Sequence, residues 1–182
     1  VLFRSIEILE ALVRDYPNVP DFRCELSETL ATISRHKRHG HESREQLELA
    51  VSLARNMTES HPSIPRYRAV LARGLMTQAD CKCDKRLGEA GQLFDESISL
   101  FQSLIRSCPD MPVYRVFLVR ALHDQAETLA RLGHTNEARD VLESAISEQV
   151  EYTRLRPENE VGRRFLTMLQ KDLEEIESAS PS

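Results

Sequence analysis

An all-α fold made of successive antiparallel helix pairs is predicted by three observations. Apolar residues recur at three- and four-residue steps through most of the 182 residues, the spacing that lines one face of a helix. Proline-rich punctuation interrupts them regularly, with Pro17, Pro62, Pro109 and Pro157 at steps of 45, 47 and 48 residues. A glycine marks the middle of each interval, at Gly40, Gly88 and Gly133. Each interval therefore holds two helices joined by a turn, and self-similarity at this period is the mark of stacked repeats.

Residues 1–16 carry Leu2, Ile6, Leu9, Leu12, Val13 and Tyr16 on one helical face. They are expected to be the second helix of a repeat whose first helix precedes Val1, which makes the chain an excerpt of a longer protein. The first full unit, residues 17–61, opens on Pro17, Asn18, Val19 and Pro20 and runs a helix from Asp21 to about Arg38. After Gly40 a second helix carries Leu47, Ala50, Leu53, Ala54 and Met57 towards Ser60. The second unit, residues 62–108, repeats this with Tyr67, Val70, Leu71, Leu75 and Ala79, then Leu93, Phe94, Ile98, Phe101, Leu104 and Ile105.

The third unit, residues 109–156, is the most regular. Its first helix carries Tyr114, Phe117, Leu118, Ala121, Leu122, Ala126 and Leu129. Gly133 suits the positive φ at which helices commonly end, and Thr135 is expected to cap the next helix. That helix places Ala138, Val141, Leu142, Ala145, Ile146 and Val150 on one stripe before Pro157 blocks further helix. A terminal helix in residues 157–182 runs from about Val161 to Ile176. After the second proline of each unit stand an aromatic and an arginine: Phe22 and Arg23, Tyr67 and Arg68, Tyr114 and Arg115, with Arg163 in the corresponding place after Pro157. A small or apolar pair then recurs as Leu26 with Ser27, Leu71 with Ala72 and Leu118 with Val119.

Ala126, Leu129, Gly133, Glu137, Ala138, Leu142 and the closing Pro157 resemble the tetratricopeptide repeat, in units longer than that family's usual 34 or so residues. The resemblance implies a right-handed α-α superhelix, a solenoid of antiparallel helix pairs forming one repeat domain over residues 1–182. It is closest in kind to long-helix arrays that follow serine/threonine protein kinase domains in some bacterial proteins. It implies a non-enzymatic scaffold that binds a peptide or helix of a partner. The alternative it carries is a regulatory or sensor region of a larger enzyme such as a kinase.

Composition narrows the function further. A net charge of −5 argues against general affinity for nucleic acid, which needs a basic face to neutralise phosphates. No run approaches the roughly 18 apolar residues of a membrane span. Cys24, Cys81, Cys83 and Cys108 are unevenly spaced for a disulfide framework, so a reducing, cytoplasmic setting is expected. Phosphate-binding glycine loops, His-Glu-x-x-His, GxSxG and kinase catalytic motifs are all missing from the sequence, so no catalytic residue or cofactor is assigned.

Three groups of residues are candidates for function. His36, His39, His41, Cys81, Cys83 and His134 fall near the inter-helix turns, where a row of ligands could meet zinc; a hydrophilic row of solvated side chains is the favoured reading, and no metal is assigned. The arginine that follows each aromatic is expected to form a structural ion pair with a neighbouring hairpin, because the helix dipole opposes a cation in the first turn. The repeat resemblance places Arg73, Met76, Arg120, His123, Glu127 and Arg131 on a partner-binding inner wall, with Arg73 and Arg120 suited to an acidic segment. The apolar face of the first helix is a candidate for homodimer contact.

Overall fold

The computed structural model of the chain describes residues 2–36, 41–82 and 87–179. Among these every regular element is an α-helix: α1 (Leu2–Asp15), α2 (Pro20–His36), α3 (His41–Ser60), α4 (Pro65–Lys82), α5 (Leu87–Ser107), α6 (Val113–Arg131), α7 (Thr135–Leu155) and α8 (Glu160–Ala179). No helix among them is long and apolar enough to cross a membrane. Contacts divide the chain into two units, Val1–Arg86 with α1 to α4 and Leu87–Ser182 with α5 to α8.

The proline punctuation folds the same way four times. Proline fixes φ near the value required at the second position of a β-turn. The turns at Pro17, Pro62, Pro109 and Pro157 are accordingly closed by Val19 N–H to Tyr16 O at 3.1 Å, Ile64 to His61 at 3.1 Å, Met111 to Cys108 at 3.1 Å and Asn159 to Arg156 at 3.0 Å. The backbone amide ahead of each proline still reaches back into the preceding helix, as Tyr16 to Leu12, His61 to Met57, Cys108 to Leu104 and Arg156 to Tyr152. In the first three turns the second proline, Pro20, Pro65 or Pro112, sits at the helix start, where its missing N–H is no loss. In the fourth, Glu160 replaces that proline, and Asn159 takes over as cap by accepting from the Gly162 amide at 2.8 Å.

In the first unit α2 packs against α1, α3 and α4. Ile6, Leu26, Leu30, Ile33 and Ala50 form its centre, with Leu9 and Val13 of α1 laid against them. Ile6, Leu9 and Val13 of the apolar face predicted for the first helix are thus used within its own unit, while Tyr16 of that face remains 56% exposed. Ser27 allows close approach of α2 and α3 and donates to the Ala50 carbonyl at 2.7 Å, so its buried hydroxyl is satisfied. Gly74 fits against Val51, whose Cγ2 would lie 3.2 Å from an added Cβ.

In the second unit α5 packs on α6, α6 on α7 and α7 on α8. Phe94, Phe101, Leu118, Leu142 and Leu169 are fully buried, each contributing about 1.5–3 kcal/mol by leaving water. Phe101 stacks on Phe117 at 5.7 Å. Gly133, with φ of 80°, ends α6. Its amide donates to Ala130 O at 3.0 Å and that of His134 to Leu129 O at 2.9 Å, which together satisfy two orphan carbonyls. α7 then begins at Thr135, one residue earlier than a Thr135 cap requires, and His134 occupies the cap position without a side-chain cap bond.

At the α7–α8 corner an aromatic has changed places. The position filled by Phe22, Tyr67 and Tyr114 after the other turns is Gly162 here, and Tyr152 of α7 occupies the space. A Cβ on Gly162 would meet the Tyr152 ring at 2.9 Å. The buried Gln149 amide donates to Gly162 O at 2.8 Å, and the Asn159 amide donates to the Tyr152 hydroxyl at 2.9 Å.

Candidate binding groove

Two of the arginines that follow the aromatics serve the turns. Arg23 donates to the Pro17 carbonyl at 2.8 Å, and Arg163 makes the same bond to Pro157 O. Each guanidinium reaches back six residues to the turn that precedes its helix, where the accepting carbonyl offsets the unfavourable helix dipole. Arg115 takes a different partner, pairing with Glu148 across the α6–α7 hairpin. Where an ion pair alone was expected, two of these arginines latch a backbone carbonyl instead.

Of the histidine and cysteine row, His39 and Cys83 and the side chains of His36 and His41 lie outside the described residues. Cys24, Cys81 and Cys108 form no disulfide among the described residues. His134 is exposed and binds Glu137 through Nδ1 at 2.9 Å.

Five of the six wall residues fall in two places. Arg73 pairs with Glu28 of α2 at 3.1 Å and lines a crevice of about 10 Å³ with Met76 and Arg35. That volume holds about one water, and Met76 is itself buried. Arg120 is exposed and is not among the groove-lining residues of its unit.

His123, Glu127 and Arg131 do come together. With Ala126 and Ala130 they follow one face of α6 at three- and four-residue steps. Leu142 of α7 and Asp172, Glu175 and Ile176 of α8 complete an open groove of about 400 Å³, within the size range of small-ligand pockets. Its floor is aliphatic, from Ala126, Ala130, Leu142 and Ile176, and its edges carry carboxylates.

His123 holds α6 to α8. Its Nε2 lies 3.0 Å from Asp172 Oδ2 and its Nδ1 3.5 Å from Asp124 Oδ1, while Phe165 meets the ring edge-on at 5.9 Å. Hydrogen bonding to Asp124, opposed by burial and aided by Asp172 and the charges of Glu127 and Asp124, raises the imidazole pKa above its ordinary value. Glu127 is exposed and, among the described residues, forms no ion pair. Glu175 is shared with Lys171 at 3.1 Å.

Asp172, Glu175 and Ile176 were not among the sequence candidates. No family model, curated protein or solved structure matches the chain.

Proposed function

We propose that the chain is a non-catalytic protein-interaction module of stacked helix pairs, tetratricopeptide-like in plan, whose second unit holds a segment of a partner protein. The α6–α7–α8 groove carries this reading. It is open and has an aliphatic floor, with Glu127, Asp172 and Glu175 at its edges and Arg131 at one end. A segment presenting an aliphatic side chain beside a lysine or arginine complements it in shape and charge. The acidic segment expected from Arg73 and Arg120 is less well served, since Arg73 is already paired with Glu28.

The test compares a short lysine–leucine peptide with a glutamate–leucine peptide of equal length, each titrated into the full chain with chelator present and followed by fluorescence anisotropy. The basic peptide is expected to bind, and Glu175→Lys to weaken it by about tenfold, or about 1.4 kcal/mol. Equal affinity for both peptides, or indifference to Glu175→Lys, would count against the groove.

A further inference from the structure

A second kind of ligand is suggested at the His123 end of α6. One nitrogen of His123 and one carboxylate oxygen each from Asp124 and Glu127 lie within 4.8 Å of one another. His123 and Glu127 stand four residues apart on one helical face, and Asp124 flanks them, so a single rigid helix sets their spacing. We propose that these three side chains bind one divalent ion of the zinc class.

Bond lengths support the fit. Ligands bound at about 2.0–2.2 Å around a tetrahedral ion sit about 3.4 Å from one another. The His123 Nδ1 to Asp124 Oδ1 distance is already 3.5 Å. Glu127 is exposed and approaches the pair by a change of rotamer.

A separate helix supplies the support that a histidine ligand needs. Asp172 of α8 lies 3.0 Å from Nε2, placed to hold the proton there, so that an ion displacing the Nδ1 proton meets the Nδ1 lone pair. This is the carboxylate–histidine arrangement that orients metal ligands. The adjoining groove of about 400 Å³ gives an entry path and space for a water in the open coordination position.

One imidazole with two carboxylates suits zinc better than calcium, which takes six to eight oxygens. The site extends beyond the docking reading. The two share His123, Glu127 and Asp172, while Glu175 and Ile176 belong to the docking groove alone.

Equilibrium dialysis of the full chain against zinc chloride tests the site, with cobalt absorption as a second readout of coordination. One equivalent is expected to bind in a Cys81→Ser/Cys83→Ser background, which removes the thiols of the turn row. Glu127→Gln should lower affinity at least tenfold with an unchanged helical spectrum, and Asp172→Asn should lower it by about tenfold. Absence of zinc binding in the Cys81→Ser/Cys83→Ser background, or binding there indifferent to Glu127→Gln, overturns the proposal. Because the peptide titration is run with chelator, its outcome separates failure of the ion site from failure of the docking groove.

Discussion

Replacing Gly162 by alanine sets two effects against each other, and the structure decides which wins. Alanine in a helix is favoured over glycine by about 1 kcal/mol, so on propensity alone Gly162→Ala stabilises α8. The new Cβ, however, would lie 2.9 Å from Tyr152 Cε1, 3.2 Å from Cδ1 and 3.4 Å from Gln149 Nε2. Carbon atoms at rest are about 3.5–4.0 Å apart, so the ring must retreat by roughly 0.6–1 Å. It has little freedom to do so, because Tyr152 is buried and its hydroxyl accepts from Asn159 at 2.9 Å. Overpacking of this kind costs about 1–3 kcal/mol, and straining the Asn159 bond adds up to about 1 kcal/mol.

The net expectation is a loss of about 1–2 kcal/mol, or a Tm lower by about 2–8 °C for a chain of this size. Urea denaturation followed by circular dichroism measures it. Tyr152→Leu, which vacates the contact, should recover much of the loss when combined with Gly162→Ala, giving a coupling of about 1 kcal/mol in a double-mutant cycle. Stabilisation by Gly162→Ala, or strictly additive effects, would refute the aromatic exchange at this corner.

Two further predictions concern the backbone and the core. Gly133→Ala should destabilise the second unit by about 1–2 kcal/mol, because φ of 80° is costly for any residue with a Cβ; equal melting temperatures would contradict the α6 cap. Burial pushes the Cys24 thiol up to about 11. The neutral thiol is the form the fold favours, so its stabilising contribution is intact below the unfolded thiol pKa of about 8.5 and is lost as pH rises through about 11. Cys24 should resist alkylation at pH 8 until the protein unfolds, as peptide mass mapping would show.

The helix boundaries were legible because their signals are local. A proline at the second position of a turn fixes φ whatever the tertiary structure, and the turns at Pro17, Pro62 and Pro109 formed accordingly. Gly133 was legible for the same reason. His123, Glu127 and Arg131 could be grouped because one helix supplies all three. Asp172 and Ile176 could not, since their approach to α6 depends on how α8 packs some 49 residues later. The exchange of Tyr152 for the aromatic missing at Gly162 was hidden likewise, because the compensating ring comes from the preceding helix. The arginine latches were half legible: the dipole argument required a partner, but nothing in the sequence distinguished a turn carbonyl from a carboxylate.

The most direct measurement is an amide chemical-shift map of the full chain as the lysine–leucine peptide is added in chelator. The account predicts saturable shifts along α6 from His123 to Arg131, at Leu142, and at Asp172 to Ile176. Shifts confined to other helices, or none as the peptide saturates, would contradict it.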